Sequence, residues 1–332
     1  MRACVIGSGS FGTALANVLA IQCEQVWLWG RDQKLVTELN ERHENPTYLP
    51  GVPLSPRIRA TTSLEEALGG TELVVSATPS QATRDVMRAA TPHLPAHVPI
   101  ITVSKGIENG TLFTMTEVLE DALPEQFHPY IAVLSGPSFA KELAMKMPTV
   151  VTIASHWDKV ALRCQKAFQT DYFRSYTSSD VVGVQYGGAL KNVIAIAAGI
   201  ADGLGFGHNA RAAIITRGLA EISRVAVRKG ANPLTLSGLS GMGDLVLTCT
   251  GELSRNRTVG IALGKGRKLE EILQEMKQVA EGVKTAQAAR DLSEKTGVEL
   301  PICQQVFAIT YQGKDARKAT VELMGRQPKA EL

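Results

Sequence analysis

Residues 3–12 read Ala3-Cys4-Val5-Ile6-Gly7-Ser8-Gly9-Ser10-Phe11-Gly12, and their reading decides the fold. Four apolar residues run into a GxGxxG turn, and a helical pattern follows at once. Strand, glycine turn and helix in that order make a dinucleotide-binding turn. Gly7 allows the tight bend, Gly9 lets the backbone approach a pyrophosphate, and Gly12 lets the helix lie close to the strand. The helix N-terminus then faces the phosphates.

Working outward, the next strand ends in Trp29-Gly30-Arg31-Asp32. An NAD-specific turn places an acidic residue there for the ribose hydroxyls. An arginine accepts a 2′-phosphate and stacks on adenine, which points toward NADP or toward use of both cofactors. Asp32 keeps both cofactors in play, and a surface arginine in a loop is the alternative.

Short apolar runs at 3–6, 26–29, 58–60, 73–76, 100–103, 131–134 and 149–153 read as strands, most of them continuous as parallel strands buried on both faces are. Helical patterns at 13–21, 33–42 and 81–90 alternate with them, and Ser63-Leu64-Glu65-Glu66 fits a capping box. The expected fold is α/β, a Rossmann-type, doubly wound, mostly parallel sheet followed by an all-helical domain. The pattern changes near Asp180. Helices are expected at 181–201, 210–228, 285–296 and 302–312, with domains at 1–179 and 180–332.

Ligands of open α/β sheets bind beyond the carboxyl ends of the strands. Three such ends carry polar sequences: Thr78-Pro79-Ser80, Ser104-Lys105-Gly106 and Ser135-Gly136-Pro137-Ser138, the last followed by a helix from Phe139. Together they bring a cation, hydroxyls and a helix N-terminus to one edge, which suits a small anionic substrate. Between residues 181 and 201 the only charged residue is Lys191, with Gly188 and Ala195 on its helical face. Burial there would lower its pKa and fit it for acid/base work on a carbonyl/alcohol pair. A lysine that snorkels to the surface is the alternative. Gly241-Met242-Gly243-Asp244 offers a carboxylate or a helix N-cap. Ser254-Arg255-Asn256-Arg257 offers phosphate donors or a solvated helix start.

The 332 residues are 44% hydrophobic and 20% charged, ordinary for a globular chain of about two domains. Net charge is +3 with no basic run, which argues against a nucleic-acid partner. The five cysteines, Cys4, Cys23, Cys164, Cys249 and Cys303, form no CxxC pair. Neither a disulfide framework nor a metal site is expected, and a reducing, cytoplasmic setting is. The start resembles a signal peptide, but Gly7, Gly9 and Gly12 break its apolar region. The apolar run 193–201 is shorter than the roughly 20 residues that span a bilayer, so no membrane insertion is expected.

Taken together, five segments resemble the bacterial-type NAD(P)-dependent glycerol-3-phosphate dehydrogenases. They are IGSGSFGTALA from Ile6, VSKGIE from Val103, LSGPSFAKE from Leu134, GGALKNVIAIAAGIADGLGFGHNARAA from Gly187, and LSGMGDLVLTCTGELSRNRTVG from Leu239. The resemblance implies a homodimeric enzyme with its site between two domains. It implies reversible reduction of the small-molecule phosphate dihydroxyacetone phosphate to sn-glycerol 3-phosphate, feeding membrane-lipid synthesis. By resemblance Ser10, Phe11, Arg31, Lys105, Ala140, Arg255, Val279 and Glu281 contact NAD(H) or NADP(H). Likewise Lys105, Gly136, Ser138, Lys191, Asp244, Ser254, Arg255 and Asn256 contact substrate, and Lys191 is the proton donor/acceptor. A related dehydrogenase of a sugar phosphate or sugar acid would share the glycine turn, but is not expected to carry GMGD and SRNR together. A non-catalytic dinucleotide sensor would need neither Lys191 nor Asp244.

Overall fold

The computed structural model describes residues 1–276, 279–327 and 330. Among the described residues there are ten strands: β1 (Arg2–Ile6), β2 (Gln25–Trp29), β3 (Glu44–Asn45), β4 (Leu49–Pro53), β5 (Ile58–Thr61), β6 (Leu73–Ser76), β7 (Ile100–Thr102), β8 (Ile131–Ser135), β9 (Thr149–Ala154) and β10 (Phe173–Ser178). Eight of them form one sheet in the order β10-β9-β8-β7-β6-β1-β2-β5, while β3 and β4 pair separately as an antiparallel ribbon. The chain builds outward from β1 to β2 and β5, then returns to β6 on β1's other side. That reversal makes a switch point between β1 and β6, where such sheets open a crevice for ligands.

The sheet is mostly parallel, as the apolar runs predict, with one reversal. The strand expected at residues 149–153 is β9, which is antiparallel to β8. Continuous apolarity reports burial on both faces and is silent on direction. Two further features escape the apolar pattern. Along β10, Phe173 and Ser175 point inward while Arg174 and Tyr176 are exposed, so only one large apolar side chain marks a strand on the sheet's edge. In β4, Pro50, Gly51 and Pro53 mask the strand, since proline is confined to edges and bulges.

The sheet ends at Ser178 and helices follow. The central one, Val181–Gly203, is buried along nearly its whole length. A helix that is apolar all round belongs in the middle of a bundle. By length and composition it could cross a membrane, yet 89% of its apolar window is buried inside the protein, which accounts for its character. Helices Gly207–Arg228, Asp244–Thr250, Arg255–Gly264, Glu281–Thr296 and Pro301–Gln312 lie against it. The expected helices are present within a few residues of their bounds, whereas Asp244–Thr250, Arg255–Gly264, Leu269–Glu275 and Ala316–Met324 have no strong periodic signal. Helix Arg255–Gly264 approaches the central helix very closely. A Cβ on Gly199 would stand 2.2 Å from the Arg257 carbonyl oxygen, and one on Gly260 would stand 2.1 Å from that of Ile196. Along this contact Asn256 meets Asn192, the residue after Lys191.

Candidate active site

The glycine turn lies at the switch point. Gly7 has φ +126°, and a Cβ there would stand 2.5 Å from the Ala77 carbonyl oxygen at the end of β6. A Cβ on Gly12 would stand 2.0 Å from the Gly7 carbonyl oxygen, so the helix Ser10–Gln22 can only sit this close without a side chain. Gly9 is different. A Cβ there meets nothing within 4 Å. The open space lies before a helix N-terminus that has no side-chain cap and no acidic residue in its first turn. A backbone cradle at a helix start that Gly9 does not cap with a side chain fits a pyrophosphate, so these residues fit the dinucleotide that the sequence implies.

At the end of β2, Arg31 is exposed. Asp32 caps helix Gln33–Arg42, its carboxylate accepting from the N–H groups of Lys34 (2.9 Å) and Leu35 (3.3 Å). The one acidic group at this strand end is thus engaged by its own helix.

β6, β7 and β8 are neighbours in the sheet and share the direction of β1, so their three polar ends meet on one edge. Lys105 leaves the end of β7 and crosses to the helical part of the chain. Its ammonium donates to the Gly136 carbonyl oxygen (3.0 Å) and to Asp244 Oδ2 (2.6 Å). Ser138 Oγ donates to the same Gly136 oxygen (3.0 Å).

Lys191 is buried, 6% exposed, and does not snorkel. Its ammonium donates to Asp244 Oδ1 and to Thr248 Oγ1, the latter at 2.7 Å. Gly188, one turn earlier, is a small residue on the same face and leaves room beside Lys191. That room holds side chains of the sheet domain: a Cβ on Gly188 would stand 2.5 Å from Ser135 Oγ and 3.7 Å from Lys105 Cδ. Asp244 is 1% exposed. It opens helix Asp244–Thr250, and its carboxylate serves the two lysines instead of capping that helix. Thr248 Oγ1 donates to the Asp244 carbonyl oxygen (2.6 Å) and so presents a lone pair to Lys191. Thr248 lies outside the sequence expectation. Its signal was its place four residues after Asp244, on the same helical face.

Two ammonium groups thus share one carboxylate in a dry setting. Burial pushes Lys191 down to about 8; Asp244 opposes the shift and Lys105 adds to it. Burial alone would raise Asp244, but the two ammonium charges outweigh it and hold the carboxyl below its ordinary range. A buried charge left alone costs several kcal/mol, so each member depends on the others. An amine near 8 can exchange a proton with an alcohol oxygen at neutral pH.

The SRNR segment is held by its own contacts. Ser254 Oγ caps helix Arg255–Gly264 by accepting from the Arg257 N–H (3.3 Å). Asn256 donates to Asn192 Oδ1 (3.0 Å) and accepts from the Gly282 N–H (2.9 Å), tying the segment to the residue after Lys191. Arg255 is exposed at the helix start and donates to the Val279 carbonyl oxygen (2.9 Å). Glu281, at the start of helix Glu281–Thr296, accepts from Ser80 Oγ (2.5 Å) and the Ser80 N–H (3.3 Å) beyond β6. Burial raises its carboxyl despite those bonds. Val279 and Glu281 are thereby joined to the strand-end cluster, although nothing in their local sequence marks them. Ser10, Phe11 and Ala140 lie half-buried at the first turns of helices Ser10–Gln22 and Ala140–Ala144. The described residues hold no group of three or more His, Cys, Asp or Glu placed to bind a metal ion, and all five cysteines are buried and free.

Residues 2–161 match the family model for the NAD-dependent glycerol-3-phosphate dehydrogenase N-terminus, and residues 180–321 match that for its C-terminus. The chain is 77% identical over 332 residues to a glycerol-3-phosphate dehydrogenase [NAD(P)+] of Myxococcus xanthus, covering 100% of this chain and 99% of the relative. It is 55% identical to the same enzyme of Anaeromyxobacter dehalogenans, with all of both chains covered. The crystal structure of glycerol-3-phosphate dehydrogenase from Coxiella burnetii superposes with a TM-score of 0.93 at 37% identity, covering 98% of this chain and 99% of that one. With both halves matched in order and the glycine turn and lysine–aspartate cluster in place, the chain belongs to the NAD-dependent glycerol-3-phosphate dehydrogenase family.

Proposed function

We propose that this chain is an NAD(P)-dependent glycerol-3-phosphate dehydrogenase that interconverts dihydroxyacetone phosphate and sn-glycerol 3-phosphate. The observation that carries the reading is the buried Lys191–Asp244–Lys105 cluster on the same sheet edge as the open Gly9 cradle. A nicotinamide cofactor bound there would supply the hydride in reduction and accept it in oxidation. Gly7, Gly9, Ser10, Phe11, Gly12, Arg31, Lys105, Ala140, Arg255, Val279 and Glu281 would hold the cofactor.

Lys191 gives its proton to the carbonyl oxygen as that oxygen gains charge, and takes it back in the reverse direction. Lys105 stabilises the developing alkoxide, and Asp244 keeps both ammonium groups aimed. Gly136 and Ser138 border the substrate beside Lys105. Ser254, Arg255 and Asn256 hold the phosphate end. The Ser254 and Asn256 side chains and the Arg257 N–H are engaged in the fold, so the N–H groups of Arg255 and Asn256 and the Arg255 guanidinium are the phosphate donors of this reading. Anchoring the remote phosphate fixes the carbonyl in place, which lowers the barrier through lost freedom already spent on binding.

Asp32, engaged as a helix cap, leaves Arg31 as the charge that meets the adenosine ribose, and this favours acceptance of NADPH alongside NADH. The reading divides the chain at residues 179 and 180, and takes the active species as a cytoplasmic homodimer. A non-catalytic sensor has no use for a lysine near 8 buried against a shared carboxylate. The deciding experiment mixes the protein, dihydroxyacetone phosphate and either NADH or NADPH and follows nicotinamide absorbance. Consumption with at least one cofactor is expected, and none with either would overturn the reading.

A further inference from the structure

Glu108 closes the VSKGIE segment, three residues after Lys105, yet it touches neither the glycine turn nor the lysine cluster. It is 8% exposed and faces away from that cluster, toward the helix that follows β6. Arg84 of helix Thr83–Ala90 meets it with two bonds, Nε to Oε1 at 2.9 Å and Nη2 to Oε2 at 2.8 Å. Thr111 Oγ1 donates to the same carboxylate at 2.6 Å, and Arg84 is itself held by Asp121. A forked two-bond pair fixes orientation as well as distance. The Arg84 guanidinium keeps the Glu108 carboxyl below its ordinary range although burial opposes it.

The turn Ser80–Ala82 that leads into this helix grips the segment as well. Gln81 donates to the Ile107 carbonyl oxygen (2.8 Å) and accepts from the Asn109 N–H (3.0 Å). Ser80 lies directly against Gly106, where a Cβ would stand 2.7 Å from Ser80 Oγ. Every residue from Gly106 to Asn109 is therefore held by Ser80, Gln81 or Arg84. Lys105 stands at the start of this clamped run and reaches across to Asp244 with a flexible four-carbon side chain.

We infer that the Arg84–Glu108 pair, with Gln81 beside it, is a positioning device for Lys105: it fixes the backbone from which the lysine reaches the reacting oxygen. The pair touches neither substrate nor cofactor and acts only through Lys105. The inference rests on the reading of Lys105 given above. Loss of the pair should let the 105–109 segment drift, and a displacement near one ångström is enough to slow a reaction about 100-fold.

The test is a double-substitution cycle with Glu108→Gln and Lys105→Met, reading kcat, KM for each ligand, NADPH affinity and the thermal midpoint. The expected result for Glu108→Gln is a fall in kcat of at least tenfold. NADPH affinity and KM for dihydroxyacetone phosphate should move less than threefold. In the Lys105→Met background, Glu108→Gln should cost less than twofold further, because the lysine it positions is gone. Equal cost in both backgrounds, or a lowered thermal midpoint with kcat intact, overturns the inference. Arg84→Lys, which keeps the charge and loses the fork, should reproduce at least half of the Glu108→Gln loss, and full activity there overturns it too. If Lys105→Met itself keeps normal turnover, the reading of Lys105 fails instead, which separates the two.

Discussion

The glycine turn and the lysine–aspartate cluster occupy the same sheet edge and are built on opposite plans. The turn is made of backbone, and its working feature is the space beside Gly9. The cluster is made of side chains and encloses almost no space, since Asp244 is 1% exposed and both lysines are bonded to it. A backbone site needs only a local sequence with the right glycines. A side-chain site needs three residues, 105, 191 and 244, brought together from three separate elements. The first recognises a ligand common to many proteins. The second carries, in the proposed reading, the chemistry particular to this one.

The sharpest way to break the comparison is to remove the proposed proton carrier alone. Lys191→Ala should lower kcat by roughly 100- to 10,000-fold, the usual worth of a positioned acid or base. NADPH affinity, followed by fluorescence, should stay within a factor of two. A variant with near-normal turnover would move the acid/base role elsewhere.

The glycines separate packing from binding. Gly12→Ala places a methyl 2.0 Å from the Gly7 oxygen and should lower stability by about 1–3 kcal/mol, as overpacking does. Gly9→Ala meets nothing, has an ordinary φ of −73°, and should melt like the parent. It should nonetheless weaken cofactor binding about tenfold or more by occupying the cradle. Calorimetry and a binding titration give both numbers, and a destabilised Gly9→Ala with unchanged affinity would exchange their roles.

The charge balance predicts a pH dependence. Lys191 near 8 is protonated at pH 7 and loses its proton as pH rises past 8. Carbonyl reduction needs the protonated amine, so its rate should fall about tenfold per pH unit above that point, while alcohol oxidation should rise through it. For stability the sign is the reverse of the usual lysine pair. The folded value lies below the ordinary 10.5, so the unfolded chain holds more protons between about 8 and 10.5, and this group adds stability as pH climbs through that window. Rate profiles for the parent and for Lys191→Ala check it: the limb near 8 should vanish in the variant.

The smallest expected effect is at Thr248. Thr248→Val keeps the volume but removes an acceptor for Lys191, and one buried hydrogen bond to a charged group is worth about 1.5–3 kcal/mol. Part of that loss falls on ground state and transition state alike. A fall in kcat of about fivefold, with the pH limb displaced to lower values, would place Thr248 with the cluster. An unchanged limb would make it only a packing residue.

Much of the fold was legible because it repeats a short-range rule. Buried runs announce β1, β2, β6, β7 and β8, and an unbroken apolar stretch announces the helix Val181–Gly203. Where the rule lacks amplitude, reading fails. The strand β10 shows one inward aromatic, β4 carries two prolines, and helix Arg255–Gly264 has small residues where its neighbour comes close. The direction of β9 has no local signature at all.

By itself, then, the sequence determined the glycine turn, the sheet-then-helices plan, the five family segments and Lys191 as a charge set in apolar surroundings. Each depends on residues near one another in the chain. Only the tertiary structure decided that Lys191 is buried and paired, that Asp244 serves two lysines, that Thr248 joins them and that Asp32 is engaged as a cap. It also decided that Glu108 turns away from the cluster to Arg84. The physical reason is that a charge's behaviour follows from its distance to other charges and to water. Those distances are fixed by packing between elements, across separations of 53 and 139 residues for the two lysines and Asp244.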